Sequence, residues 1–420
     1  MNLLVKNCLL DNVLSDLYIK DGLFSRIAPA GTLEMCQDGL EVLDAEGKTI
    51  MPAFANMHTH SAMTLMRGAG EDMSLMTWLD LIWKMEQHLS PEIIYWGTRL
   101  ACIEMIKTGT VLFNDQYWMI DQASRAVEES GIRANLTYVL LDGFDKEKAA
   151  RQRDECMKMH ELSKSWSEKV SFGISVHGIY TVLEENVRWA AEYSEKHRLP
   201  VHIHLSESHD ENSGCMERYG KTPTEAFDSM GLLSDRVLAA HVLHMTDSDM
   251  ATLGKRGVTA VHNINSNLKL ASGFRFPFDE LKAAGVRVCL GTDGAASSNN
   301  LDMLEASKTM ALLQKAWREN PAAMPLDEIL YTGSASGYEA LGLNGGKIAE
   351  GKLADFMLVD TDSYAFVPNI NFKANLIYSA NSSCIDTVVC GGRIVMKTRV
   401  VPGETEVYAE CSRLWKEMVE

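Results

Sequence analysis

Four apolar runs in this chain stop abruptly at side chains able to bind a metal, with helix-sized stretches between them. The first, Ile50-Met51-Pro52-Ala53-Phe54-Ala55-Asn56-Met57, ends in His58-Thr59-His60. The second is Val201-His202-Ile203-His204-Leu205, which leads to Glu207. The third is Val237-Leu238-Ala239-Ala240, ending at His241, and the fourth is Val286-Arg287-Val288-Cys289-Leu290-Gly291, which reaches Asp293 through Thr292. Between the first two lies another such unit: Val170 to Val176 reads as a strand, Glu184 to Lys196 as a helix, and Pro200 to Leu205 as the next strand. Repeated strand-then-helix units build a parallel sheet, and roughly 300 residues of them suit a closed (β/α)8 barrel of the TIM type. In such barrels, chemistry collects where the strands end.

The two ends of the chain read differently. Residues 1–48 contain short alternating segments with turn signals, such as Ser15-Asp16-Leu17-Tyr18-Ile19-Lys20-Asp21-Gly22. Residues 347–420 return to that style in Ala354 to Val359 and Ile385 to Val395, after the junction Gly345 to Lys352. We therefore expect an α/β protein with a barrel over residues 49–346, flanked by a small β-sandwich built from both ends.

Composition narrows the partners. A net charge of −17 opposes sequence-independent attraction to nucleic acid or anionic lipid, so a small-molecule substrate is expected. No apolar run is long enough for a membrane span, and the first residues lack a secretion signal, so the expected location is the cytoplasm. Nine cysteines without a Cys-x-x-Cys pair read as reduced, mostly buried thiols, which leaves metal binding to His and carboxylate.

Alternate residues of an extended strand share a face, so His58 and His60 can point at one ion. His202 and His204 lie on the same alternation, and pattern alone does not say which of the clusters' side chains bind; packing, or support of a ligand without touching the metal, is the favoured role for His202. Glu207 stands where the chain leaves the strand, beside a ligand rather than as one. Barrel closure would bring all four strand ends to a shared metal site.

These motifs, Met57-His58-Thr59-His60, His202 to Glu207, Ala239-Ala240-His241 and Gly291 to Asn300, resemble the amidohydrolase superfamily. The resemblance is to its mononuclear deaminases of S-adenosylhomocysteine, 5'-methylthioadenosine and related compounds, with triazine hydrolases as relatives. It implies one divalent metal, usually zinc with iron or manganese as alternatives, held by His58, His60, His204 and Asp293. It also implies catalytic roles for Glu207, His241 and Asp293. Two-metal relatives carry a carboxylated lysine on the fourth strand; here that strand ends at Val176-His177, which favours one metal.

For substrate binding the resemblance implies Trp78, a Glu at Glu86 that grips ribose hydroxyls, and His177 against the purine. The segment Ser74 to Glu86 would otherwise be a packed helix, and Lys84 replaces a common Pro. Arg151 or Arg153 falls where some relatives clamp a homocysteine carboxylate, although such a run is ordinarily a solvated helix face. In Asn263 to Leu270, Ile264 replaces the usual Pro. Homo-oligomers are common in the family.

The expected reaction is hydrolytic removal of the 6-amino group from an adenosine-type nucleoside. Metal-activated water attacks the ring carbon, and Glu207 moves its proton to the adjacent ring nitrogen. His241 and Asp293 orient the nucleophile. The alternatives are hydrolysis of another ring substituent, whether triazine chloride or alkylamine or the amine of guanine or cytosine, and a non-catalytic binding protein on the same fold.

Overall fold

The structure, a computed structural model, describes residues 2–33 and 39–419. Met1 and Cys36, which belong to the sequence expectations above, lie outside them. The chain opens with five strands: β1 (Asn2–Leu10), β2 (Val13–Lys20), β3 (Leu23–Pro29), β4 (Leu40–Asp44) and β5 (Lys48–Pro52). Eight more follow, most of them separated by helices: β6 (Phe54–Thr59), β7 (Thr110–Tyr117), β8 (Arg133–Leu140), β9 (Val170–Val176), β10 (Val201–Leu205), β11 (Val237–His241), β12 (Thr259–His262) and β13 (Arg287–Leu290). The last three are β14 (Phe356–Asp360), β15 (Ile385–Cys390) and β16 (Arg393–Met396).

Strands β6 to β13 pair in sequential order, all parallel, as the expected barrel requires. Across the closing seam the Asp293 amide donates to the His58 carbonyl at 2.9 Å. Nearly every residue of these strands is buried, because helices cover one face and the opposite strands the other. Ala55, Met57, Leu112, Leu238, Val261 and Cys289 form an apolar cluster with Tyr338, drawn from β6, β7, β11, β12 and β13. Parallel register sets Leu205 opposite His241, so the functional ends of β10 and β11 finish level.

The remaining strands form a separate mixed sheet, in the order β16-β15-β14-β5-β1-β2-β3, with β4 also pairing with β1. Chain ends meet where β14 runs antiparallel to β5, Met357 opposite Met51. The sheet's core includes Leu3, Val5, Leu17, Ile19, Phe24, Phe356 and Leu358. A buried ion pair joins the two bodies: Arg133 on β8 donates to Asp355 at 2.7 Å.

Two details depart from the sequence reading. The run Ile50 to Met57 is two strands, since β5 belongs to the end sheet and the barrel starts at Phe54, beyond the expected boundary at 48. Ala53 lies between the strands, at the step from one sheet to the other. The tail is also more than strands: Glu404–Val419 is a helix that buries Val407, Cys411 and Leu414. It docks on the barrel helix Pro91–Lys107 through Lys107 and Glu404 at 2.6 Å. The eight cysteines among the described residues are all buried and unpaired. No helix among the described residues is long and apolar enough to cross a membrane.

Candidate metal centre and active site

Side chains from the ends of β6, β10, β11 and the turn after β13 converge on one point. Donor atoms of His58, His60 and His204 lie within 4.8 Å of one another, as do those of His58, His241 and Asp293. Asp293 Oδ1 is 3.2 Å from Nε2 of both His58 and His60.

Local structure aims each group. Asp293 has φ +66°, a left-handed conformation that turns its carboxylate back over the barrel mouth. Its Oδ1 accepts from the Gly294 amide at 2.8 Å and its Oδ2 from the Ser266 hydroxyl at 2.7 Å. Asn56 binds both the amide of Thr292, at 3.0 Å, and its hydroxyl, at 2.7 Å, which fixes the turn against β6. Gly291 is required there: a Cβ would meet Asn263 Oδ1 at 2.5 Å and the His58 amide nitrogen at 2.8 Å. On the other side, Asp115 accepts from the amide and hydroxyl of Ser61, each at 2.7 Å, and holds the chain just after His60.

Three imidazoles are oriented through their Nδ1 atoms. His60 Nδ1 donates to the Gln116 carbonyl at 2.8 Å and His204 Nδ1 to the His177 carbonyl at 2.7 Å. Each donation places the ring proton on Nδ1 and leaves an Nε2 lone pair free, the arrangement typical of metal-binding histidines. His58 Nδ1 meets His202 Nε2 at 2.6 Å, and His58 Nε2 is buried with no hydrogen-bond partner among the described residues. An orphaned nitrogen facing a carboxylate and two other Nε2 atoms is chemically suited to a divalent cation. Burial lowers the pKa of His58 and His204, which keeps them neutral and available as ligands.

Glu207 lies beside this group, with Oε1 3.7 Å from His241 Nδ1. Burial, reinforced by the charges of Asp293 and Glu211, pushes its pKa well above the ordinary value. His241 is itself drawn down to about 3 by burial, and its Nδ1 lies 2.8 Å from the Asn267 side-chain amide.

The cavity above is walled by Trp78, Leu79, Ile82, Trp83 and Glu86 from the helix Leu75–Glu86, and by Tyr117, Trp118, Leu141, His177, Tyr180 and Leu270. Trp78 is buried, and its indole nitrogen has no partner among the described residues. Glu86 accepts from the Tyr117 hydroxyl at 2.8 Å, and burial raises its pKa to about 7. His177 is held by Thr181 at 2.9 Å through Nδ1.

The structure thus gathers His58, His60, His204, Asp293, Glu207, His241, Trp78, Glu86 and His177 around one cavity. It does not bring Arg151 there. Arg151 is exposed on the helix Lys146–Ser163 and faces Glu147 at 3.9 Å, while Arg153 binds Asn186 at 2.8 Å. Arg151 lies on the solvated face that such a charge run ordinarily forms, whereas Arg153 is largely covered and packs against the helix Glu184–His197. Sequence reasoning missed Ser266, Asn267, Asp115 and Glu211. The only signal for Glu211 was its spacing of four residues from Glu207.

Histidines and a carboxylate meeting at the strand ends of a parallel barrel define a metal-binding barrel of the hydrolytic type. The chain belongs to the Amidohydrolase family, whose model matches residues 49–395. It is 43% identical over 374 residues to the 5'-deoxyadenosine deaminase of Methanoregula boonei, covering 88% of this chain and 84% of that one. The 5-methylthioadenosine/S-adenosylhomocysteine deaminase of Thermococcus sibiricus is 40% identical over 404 residues, 94% of each chain. Among solved structures, an adenosine deaminase from Xanthomonas campestris with bound zinc superposes with a TM-score of 0.92 at 28% identity, over 99% of this chain and 98% of that one.

Proposed function

We propose that this protein is a hydrolytic deaminase that replaces the 6-amino group of an adenosine-type nucleoside with a carbonyl and releases ammonia. The observation that carries the reading is Glu207: a buried carboxyl with a raised pKa, 3.7 Å from His241 and beside a group suited to a divalent cation. The names of the relatives at 40 and 43% identity support the substrate class.

His58, His60, His204 and Asp293 would hold the metal, which in this reading is zinc. A divalent metal held there supplies a Lewis acid that brings the pKa of water towards neutrality. Glu207 takes a proton from the attacking water and gives it to the ring nitrogen next to the amine-bearing carbon, so negative charge does not accumulate on the ring. A raised pKa suits this shuttle, because the same carboxyl must both accept and return the proton. His241 and Asp293 orient the water; as the carbonyl forms, Asp293 takes the second proton, which is then handed with the help of Glu207 to the departing amine, so that it leaves as ammonia.

Aromatic and aliphatic walls fit a purine, with the free Trp78 indole N–H and His177 available to the base. Tyr117 occupies one oxygen of Glu86 and leaves the other to accept a ribose hydroxyl. A sugar-binding carboxylate favours a nucleoside over a triazine.

The test is ammonia release by zinc-loaded protein. Turnover is expected with adenosine, 5'-deoxyadenosine, 5'-methylthioadenosine or S-adenosylhomocysteine, and is expected to exceed that with guanine, cytosine or triazines by at least about a hundredfold, a discrimination within reach of a site that hydrogen-bonds its substrate. Turnover confined to triazines or free bases would overturn the reading.

A further inference from the structure

Glu211 is a buried carboxylate that enters the chemistry above only through its charge near Glu207. It stands in the first turn of the helix His209–Tyr219. Its two oxygens accept from consecutive backbone amides, Oε1 from Ser206 at 3.0 Å and Oε2 from Glu207 at 2.8 Å. No other side chain among the described residues takes the N–H groups of this turn.

Ordinary helix capping does not account for the bonds to Ser206 and Glu207. Ser208 already caps the helix, accepting from the Glu211 amide at 3.1 Å. In a capping box, the acid three residues after the cap returns to the cap's own amide. The next helices do this: Glu225 binds the amide of Thr222 at 2.9 Å, and Asp249 that of Thr246 at 2.9 Å. Glu211 holds the equivalent position and lies by the Ser208 amide, but its hydrogen bonds extend past the cap to the two residues before it. One of these is Ser206, with φ +50°, a left-handed conformation that a residue with a Cβ adopts only at a cost. The Ser206 carbonyl is fastened from the opposite side by the amides of Leu243, at 3.1 Å, and His244, at 3.0 Å.

We infer that Glu211 is a positioning residue: its carboxylate fixes the left-handed turn at Ser206 and so sets the direction in which Glu207 enters the cavity. The inference rests on the role proposed above for Glu207.

Three variants test it. In Glu211→Ala, kcat should fall at least about a hundredfold, with KM within about threefold of wild type and metal content unchanged. Glu211→Gln keeps one acceptor oxygen and should recover part of that loss. Adding Ser206→Gly to Glu211→Ala should also restore at least about tenfold in kcat, because glycine adopts the left-handed turn without a clamp. A folded Glu211→Ala enzyme with kcat within threefold of wild type would overturn the inference, as would a loss that tracks metal content and is relieved by neither second change. If Glu211→Ala does not fold, Glu211→Gln decides alone: a loss of about tenfold in kcat at constant KM supports the inference, and wild-type kcat overturns it. Hydrogen exchange at the Ser206 and Glu207 amides needs no substrate, and it should quicken at least about tenfold in the variants. Unchanged protection there would remove the clamp, whereas failure of the wild type to release ammonia from any nucleoside would remove the function and leave the clamp to be judged by exchange.

Discussion

His202 Nε2 lies 2.6 Å from His58 Nδ1, and both side chains are fully buried. One proton must lie between the two rings. If His58 carries it, the Nε2 of His58 is left as a lone pair facing Asp293; if His202 carries it, that nitrogen is protonated and lost as a ligand. Metal binding therefore selects the first state, with His202 as the acceptor that sets the tautomer.

His202→Phe should accordingly keep the fold but weaken metal affinity about 10- to 100-fold, the usual effect of removing a partner that orients a ligand. Competition with a chelator of known affinity measures this. Unchanged affinity would make His202 a packing residue only.

Glu207→Gln should retain the metal while turnover falls by about 10² to 10⁴, because the amide keeps the shape but cannot carry the proton. Metal analysis together with single-turnover rates provides the check. A near-normal rate would place the proton shuttle elsewhere.

Glu86 gives a pH dependence of definite sign. Burial raises its pKa to about 7, so it is protonated below that value and ionised above it. The oxygen not bonded to Tyr117 accepts a hydroxyl well only when ionised. KM for a ribose-containing substrate should therefore fall as pH rises through about 7, and Glu86→Gln should lose this limb and bind more weakly at pH 8. Equal pH dependence of KM in the two proteins would argue against ribose recognition by Glu86.

Arg133 and Asp355 join the barrel to the end sheet, and both are buried. Asp355 also accepts from the Tyr338 hydroxyl at 3.0 Å and the Gly391 amide at 2.6 Å. Asp355→Ala strands a buried guanidinium and should cost about 3 to 5 kcal/mol of stability. Denaturant unfolding of the metal-loaded protein reads the change, and a loss below about 1 kcal/mol would show that the pair is dispensable, as a surface pair would be.

Much of the site was legible because its chemistry sits on repeated local patterns. A strand needs only a few apolar residues to declare itself, and His60, His204, His241 and Asp293 each follow such a run. The helix Leu75–Glu86 was legible from its spacing, and its Trp78 and Glu86 do face the cavity. Arg151 failed because a charge run on a helix carries no information about which way the helix faces. The division between β5 and β6 was hidden because the run Ile50 to Met57 is apolar throughout, and nothing local says that its halves pair with different sheets.

The sequence by itself determined the strand-and-helix order, the metal-capable residues at the strand ends and the position of Glu207 beyond its strand, since these depend on residue type and short-range spacing. Only the tertiary structure decided which nitrogen of each imidazole is free, that His202 serves His58, and that Glu211 holds the peptide ahead of Glu207. Those outcomes depend on hydrogen-bond partners as far as 144 positions away, as His202 is from His58, and on backbone turned into left-handed conformations at Ser206 and Asp293. Neither is encoded in the periodicity of any single segment; both appear only when barrel closure sets the strand ends side by side.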